Sequence, residues 1–233
     1  MNRMTAKDFD QELLDLYDYY VHGKITKREF LDHAGRYAVG GVTAIALLNM
    51  LKPNYAMAEQ VSFNDPDIKA TFETYESPNG NGEDGKALQR TVDRTKLMND
   101  FFAGYEHLAA RPDSTGKVGV VGFCYGGGVC NALAVAYPEL NASVPFYGRQ
   151  AKAEDVPKVQ APMLIHYGEL DKRINAGAPD YEAALKANGK TYEAHVYEGA
   201  NHGFHNDSTP RYDEKMANLA LDRTIDWFNK YLT

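Results

Sequence analysis

The feature that most constrains the fold is a short apolar run, Val118–Phe123, which leads at once into a glycine-flanked turn and a helical pattern. A short run with almost no polar residue predicts a strand that is buried on both faces of a parallel sheet. Other strands and helices alternate around it. The predicted strands are Ala142–Tyr147, Met163–Tyr167 and Tyr192–Tyr197, and the predicted helices are Ala87–Ala109, Gly126–Tyr137, Pro179–Asn188 and Pro210–Tyr231. This alternation predicts an α/β fold with a mostly parallel sheet.

The turn has the sequence Gly122-Phe123-Cys124-Tyr125-Gly126, which matches the G-x-S-x-G nucleophile elbow with cysteine in place of serine. Such a turn holds the nucleophile in a strained backbone, so we expect a side chain at either flanking glycine to collide with the neighbouring strand or helix. The helix dipole stabilises a thiolate at Cys124, and the backbone N–H of Tyr125 points at the developing oxyanion. A glycine-rich turn around a buried structural cysteine is the alternative.

Two further residues follow the ends of predicted strands. Asp171 comes after the third predicted strand and His202 after the fourth. The chain order nucleophile, acid, histidine is that of α/β-hydrolases, whose sites lie beyond the carboxyl ends of the strands. We therefore predict an α/β-hydrolase-type sheet flanked by helices, with Cys124, His202 and Asp171 as a catalytic triad. Glu169 is a rival for the acid.

Several other residues are candidates with ordinary interpretations. Arg149 and Arg173 could bind an anionic group of a substrate, or they could be surface charges. His166 and His195 lie inside predicted strands, which favours a packing role. Cys130 is most simply a core residue of the helix that follows the elbow.

The first 59 residues are predicted to form an N-terminal helical extension, and residues 60–233 to form the hydrolase domain. Apolar residues recur at helical spacing from Phe9 to Tyr20. Thr26 followed by Glu29 has the pattern of a capping box, so a second helix is predicted from Lys27 towards Leu51.

This second predicted helix also carries a targeting pattern. Lys27-Arg28-Glu29-Phe30-Leu31 precedes the mildly apolar Ala38–Leu51, an order that resembles a degenerate twin-arginine export signal. A structural extension of a cytoplasmic protein is the favoured interpretation. Export to the periplasm is the alternative.

Composition and charge exclude several classes of binding partner. The net charge of -7 argues against nucleic acid or an anionic membrane surface as the main partner. No apolar run approaches the roughly 20 residues that span a bilayer. The two cysteines lie on one predicted helix and form neither a disulfide framework nor a zinc pattern. Composition therefore gives no indication of a nucleic-acid, membrane or zinc partner.

Residues from about Lys117 to the C-terminus resemble the dienelactone hydrolase family. The motifs that carry the resemblance are Gly122-Phe123-Cys124-Tyr125-Gly126-Gly127, Phe146-Tyr147-Gly148, Gly168-Glu169-Leu170-Asp171 and Asn201-His202-Gly203-Phe204. A cysteine nucleophile in this elbow is the mark of the family. The resemblance implies hydrolysis of a small ester or lactone without a metal or organic cofactor. It also implies an oxyanion and substrate site formed by Tyr125, Tyr147, Arg149 and Phe204.

The sequence departs from the family pattern before the nucleophile strand. Family members have several strands there, one of which ends in a His-Glu type motif. Here only Ala70–Tyr75 reads as a strand before the turn-rich segment Ser77–Gly85. We interpret this as an internal deletion near Asn79–Gly85, whose exposed sheet edge could be covered by the N-terminal helices or by a second copy of the chain in a homo-oligomer. Three functions follow as hypotheses: an active ester or lactone hydrolase, a catalytically impaired remnant that lacks part of the oxyanion hole, and a thiol-based sensor.

Overall fold

The computed structural model describes residues 4–54 and 93–233 of the chain. Contacts between residues divide the chain into two compact units. The described residues of the first unit are 4–54, 167–176 and 196–223, and those of the second are 93–166, 177–195 and 224–233. The predicted strand Ala70–Tyr75, the inferred deletion near Asn79–Gly85, the start of the predicted helix at Ala87 and the domain boundary at residue 59 lie outside the described residues.

The amino-terminal part of the first unit consists of three helices packed on a shared apolar core. They are α1 (Gln11–Val21), α2 (Lys27–Ala34) and α3 (Ala44–Leu51). The core comprises Leu13, Leu14, Tyr17, Phe30, Ala34, Leu47, Leu48 and Leu51. The predicted capping box is confirmed, because the Thr26 hydroxyl accepts from Glu29 N and the Glu29 carboxylate accepts from Thr26 N.

The prediction of one helix from Lys27 towards Leu51 is wrong. The helix α2 ends at Ala34, and the chain passes through Gly40 and Gly41 at φ +64° and +86° before α3 begins. Left-handed φ values interrupt a right-handed helix, and glycine adopts them without steric penalty. Thr43 then caps the new helix by accepting a hydrogen bond from Ala46 N at 3.1 Å. No helix within residues 4–54 or 93–233 has the length and apolar character needed to cross a membrane.

Within the described residues, the sheet has four strands in the order β1-β2-β3-β4. These are β1 (Gly119–Phe123), β2 (Ala142–Phe146), β3 (Met163–Gly168) and β4 (Tyr192–Tyr197). The strand β2 is parallel to both β1 and β3, with Phe123 opposite Phe146 and Phe146 opposite His166. The remaining helices are α4 (Arg94–Ala109), α5 (Tyr125–Ala136), α6 (Lys172–Asn175), α7 (Ala178–Ala187) and α8 (Glu214–Leu232). The predicted α/β class, with a parallel sheet flanked by helices, is confirmed.

The burial of the strands differs from the prediction at one place. Every residue of β2 and β3 is buried, as expected for the centre of a parallel sheet. In β1, however, Val121 is 45% exposed and Phe123 is 43% exposed. The apolar run predicts a strand that is buried on both faces, but β1 stands at one end of the strand order within the described residues.

Candidate active site

Cys124 occupies the junction between β1 and α5 in the second unit. Its backbone has φ 56° and ψ -112°, a conformation that costs about 1–3 kcal/mol for a residue other than glycine. The surrounding backbone holds it there. Cys124 N donates to Phe146 O at 3.1 Å, and Cys124 O accepts from the amides of Gly127 and Gly128 at 3.1 and 3.3 Å. A strained residue with this many backbone bonds is over-determined by its neighbours.

Glycines allow the close approach that this turn requires. A Cβ atom at Gly122 would lie 2.2 Å from Gly126 O and 2.9 Å from the sulfur of Cys130. A Cβ at Gly127 would lie 2.6 Å from Phe146 O. The expected collision at Gly126 is not found, because its Cβ would meet nothing within 4 Å. The steric demand therefore falls on Gly122, whose side-chain position is taken by the carbonyl of Gly126.

Three of the predicted substrate-site residues lie in the same unit as Cys124. Tyr125 is the first residue of α5, where backbone amides have no acceptor within the helix, and its ring is 44% exposed. Tyr147 is buried at φ 37° and donates its N–H to His166 O at 2.8 Å. Arg149 is exposed, and its carbonyl accepts from the Asn131 side chain at 2.9 Å.

The interior of this unit also settles the roles of two other residues. His166 is fully buried. Its Nε2 lies 3.2 Å from the hydroxyl oxygen of Thr224, and the centroid of its ring lies 4.1 Å from that of Phe146. Cys130 is buried, and burial raises the pKa of its thiol to about 12. The predicted packing roles of His166 and Cys130 are confirmed.

Asp171 and His202 meet in the first unit. Asp171 caps α6, with Oδ1 accepting from Ile174 N at 3.1 Å. Its other oxygen, Oδ2, accepts from His202 Nδ1 at 2.6 Å. Both side chains are buried. Because an ionised carboxylate only accepts, the contact places a proton on Nδ1 and leaves Nε2 as the nitrogen that can exchange a proton with a reactant.

The loops that carry these two residues are joined to each other. Glu169 N donates to Tyr197 O and Leu170 N to Ala200 O, both at 3.0 Å. A Cβ at Gly168 would lie 2.7 Å from Ala200 O, so the loops approach too closely for a side chain at this position. Glu169, the rival acid, is engaged elsewhere, since its carboxylate accepts from Gly199 N at 2.8 Å.

Four charged or titratable residues lie next to His202. Three of them were not identified from the sequence, and the fourth, Arg173, is interpreted there as a substrate-binding or surface residue. Asp18 and His22 come from the end of α1, and Arg173 and Arg211 complete the group. Arg173 Nε donates to Asp18 Oδ2 at 2.8 Å, and Asp18 Oδ1 lies 3.5 Å from Arg211 Nη1. Arg173 is thus an interior ion-pair partner, which corrects its interpretation as a surface charge.

The electrostatics of this group centre on Asp18, which is only 7% exposed. Burial acts to raise the pKa of its carboxyl, but hydrogen bonds from His22 and Arg173, together with the electrostatic attraction of His202 and His22 in their protonated forms, lower that pKa far below its usual value. The sequence does contain a signal for this residue. Asp18 lies four positions after Leu14, on the face of α1 that the apolar pattern assigns to the core.

Phe204, the last predicted substrate-site residue, is fully buried in the first unit. Its ring packs on Tyr197 with 4.9 Å between centroids. The structure therefore brings Asp171, His202 and Phe204 into one unit, and Cys124, Tyr125, Tyr147 and Arg149 into the other.

Comparison with known proteins places these motifs in a family. A sequence model described as the dienelactone hydrolase family matches residues 58–232, and one described as YqhI-like matches residues 1–39. Carboxymethylenebutenolidase 1 of Cupriavidus pinatubonensis is 31% identical over 147 residues, which are 62% of this chain and 62% of that protein. Relatives from Saccharolobus solfataricus and Methylorubrum extorquens are 33% and 34% identical over 61% and 60% of this chain. The matches cover 55% and 52% of those two proteins, so the chain spans about half of their length.

Solved structures agree with this placement. The dienelactone hydrolase of Anabaena variabilis superposes with a TM-score of 0.50 and 26% identity, covering 62% of this chain and 65% of that one. A Klebsiella pneumoniae protein assigned as a dienelactone hydrolase superposes with a TM-score of 0.56 and 26% identity, covering 66% of this chain and 70% of that one.

Proposed function

The chain belongs to the dienelactone hydrolase family, and on that premise we propose that it hydrolyses small carboxylic esters or lactones through Cys124, His202 and Asp171. The observation that carries the proposal is the strained backbone of Cys124 between β1 and α5. Strain of this kind persists only where the surroundings enforce it, and it presents the thiol at a helix N-terminus, where a thiolate is stabilised.

In the proposed reaction His202 Nε2 takes the proton of the Cys124 thiol, and the resulting thiolate attacks the carbonyl carbon. The oxyanion of the tetrahedral intermediate accepts a hydrogen bond from the backbone N–H of Tyr125. When the C–O bond breaks, His202 Nε2 gives its proton to the departing alkoxide and a thioester remains on Cys124. A water molecule that loses its proton to Nε2 then attacks the thioester, and the acid is released with the thiol restored. Asp171 holds the ring of His202 in the required tautomer through Nδ1.

The substrate class follows from the relatives. Several of them are named carboxymethylenebutenolidases, which are lactone hydrolases by name. We propose a small lactone or ester as the substrate, with Arg149 available to a carboxylate on it because this residue is exposed. Tyr147 and Phe204 are proposed to shape the apolar wall. We also propose that the residues up to 59 are an N-terminal helical extension of the hydrolase domain, which the match of residues 1–39 to a different family model supports.

The test is acyl-enzyme trapping with an activated ester, read by mass spectrometry of the intact protein and of its peptides. The wild type should gain one acyl group on the peptide that contains Cys124. Cys124→Ala should gain none, whereas the matched control Cys130→Ala should acylate as the wild type does, because Cys130 is buried with a raised thiol pKa. His202→Gln should acylate slowly and accumulate the thioester, since both steps need proton transfer.

Two outcomes would contradict the proposal. Acylation of Cys124→Ala at the wild-type rate would exclude Cys124 as the nucleophile. A folded wild-type protein that neither acylates nor hydrolyses any ester or lactone would favour the catalytically impaired remnant instead.

A further inference from the structure

We propose that Asp18 of the amino-terminal helix α1 is a positioning residue that keeps Arg173 from disturbing the Asp171–His202 pair. The inference rests on the proposed function, in which Asp171 orients His202 for hydrolysis. It assigns a positioning role to a residue that lies outside the hydrolase family match, residues 58–232.

One face of the helix α1 contacts both the segment that carries Asp171 and the segment that carries His202. Gln11 Nε2 donates to Asn201 Oδ1 at 2.7 Å, next to His202 in the chain. Asp15 pairs with Lys172 at 2.8 Å, next to Asp171. Asp18 pairs with Arg173, also at 2.8 Å. Positions 11, 15 and 18 have the i, i+4, i+7 spacing of a single helix face, so the contacts form one continuous seam.

Arg173 lies close enough to the Asp171–His202 pair to disrupt the hydrogen bond between them. Its Nη2 lies 3.5 Å from His202 Nδ1, the nitrogen whose proton is already donated to Asp171. Since both groups are donors, this contact is not a stabilising hydrogen bond. A guanidinium also matches the geometry of a carboxylate, so an Arg173 that is not held elsewhere could bind Asp171 in place of His202.

Asp18 prevents this disruption because it binds the guanidinium of Arg173 with its own carboxylate. Its Oδ2 accepts from Nε of Arg173. His22 contributes an acceptor on the same side, because Arg173 Nη2 lies 3.2 Å from His22 Nε2 while His22 Nδ1 donates to the backbone carbonyl of Asp18 at 2.8 Å. The Arg173 guanidinium is thus held by Asp18 of α1 and by His22, the residue that follows α1.

The charges in this group balance only when Asp18 is present. Arg173 and Arg211 supply two positive charges, and Asp18 and Asp171 supply two negative ones. Asp18 Oδ1 also lies 4.0 Å from His202 Nε2, so an imidazolium formed during the reaction would have a carboxylate near each ring nitrogen. Without Asp18, the guanidiniums of Arg173 and Arg211 would lose their carboxylate partner, and Asp171 would be the remaining carboxylate of the group.

The experiment compares Asp18→Asn with Asp15→Asn in the full chain. Both changes remove one carboxylate of α1 that pairs with a residue of α6, but the Lys172 partner of Asp15 is 69% exposed. We expect kcat for an activated ester to fall about 10²-fold in Asp18→Asn with little change in KM, the loss typical of a misplaced catalytic group. Asp15→Asn should keep the wild-type kcat.

A second readout reports the pair directly and needs no substrate. The Nδ1 proton of His202 in its short bond to Asp171 should give a far-downfield proton NMR signal in the wild type and in Asp15→Asn. In Asp18→Asn this signal should shift or disappear. In the double variant Asp18→Asn/Arg173→Gln it should return, together with most of kcat, because the competing guanidinium is gone.

The double variant also keeps the test decisive if Asp18→Asn does not fold, since it leaves only the Arg211 guanidinium without its carboxylate, whereas Asp18→Asn leaves both guanidiniums without it. An unchanged NMR signal and kcat in folded Asp18→Asn, or a lost signal in the folded double variant, would overturn the positioning role. If the wild type shows the signal but no hydrolysis, the proposed function fails while the NMR comparison still decides the role of Asp18.

Discussion

Replacing Gly122 by alanine should destabilise the protein, whereas the same change at Gly126 should not. These glycines flank Cys124 on either side and differ in their surroundings. A Cβ at Gly122 would lie 2.2 Å from Gly126 O and 2.4 Å from the carbonyl carbon of the same residue. A Cβ at Gly126 would meet nothing within 4 Å.

The magnitude follows from the displacement required. Ordinary contact begins near 3.4 Å, so the carbonyl of Gly126 must move from 2.2 Å to at least that distance. The atom that must move is backbone in the first turn of α5, so no side-chain rotation can relieve the clash. Overpacking of this kind costs about 1–3 kcal/mol. In a chain of this size, that corresponds to a fall in Tm of about 2–12 °C. Gly126→Ala should raise the stability by at most about 1 kcal/mol, the helical advantage of alanine over glycine.

The assay is thermal unfolding of both variants and the wild type, followed by circular dichroism at one scan rate. The order of Tm values should be Gly122→Ala lowest, then wild type, then Gly126→Ala. Acylation of Cys124 should also fall in Gly122→Ala, because the amides of Gly127 and Gly128 that hold Cys124 O move with the turn. Equal Tm values for the two alanine variants would refute the steric reasoning.

Three further predictions concern other parts of the molecule. Because the pKa of Asp18 is lowered on folding from its ordinary 3.8, its contribution to stability is present above that value and is lost as the pH falls below it. In Asp18→Asn, the slope of unfolding free energy against pH below about pH 4 should be smaller by up to about 1.4 kcal/mol per pH unit, as urea titrations would show. A thiol reagent at pH 8 should label Cys124 in the folded protein and leave Cys130 unlabelled until denaturant is added, since burial raises the pKa of the Cys130 thiol to about 12; mass spectrometry gives the count. Thr26→Ala should lower the unfolding free energy by about 0.5–2 kcal/mol through loss of the cap of α2, measured by urea titration.

The parts of the fold that the sequence predicts well are those determined by residues close together in the chain. The elbow is a five-residue pattern, and the strand β4 begins and ends where its alternating residues predict, at Tyr192 and Tyr197. The capping box of α2 is likewise contained in the four residues from Thr26 to Glu29. Local backbone preference and side-chain periodicity are sufficient for such features, because no distant partner changes them.

Features that depend on distant partners were predicted less well. The run Val118–Phe123 is apolar enough for a central strand, yet the number of neighbours that β1 has is a property of the sheet and not of the strand. The break between α2 and α3 is a different case, since Gly40 and Gly41 stand plainly in the sequence. There, the mildly apolar run Ala38–Leu51 favours one continuous helix, but two consecutive glycines within it adopt left-handed φ values and separate α2 from α3.

Asp18 shows why the candidate site could be predicted only in part. Its partners Arg173 and Arg211 are more than 150 residues away, so no spacing rule connects them. An acidic residue on a buried helix face nevertheless has to be paired, because an unpaired buried charge is prohibitively unfavourable. Pairing alone does not explain why the group is charged, since an apolar set of similar volume is often as stable as a buried ion pair or more so. A carboxylate that engages the guanidinium nearest His202 has a use that an apolar residue could not serve, and that use lies in the chemistry of the neighbouring histidine.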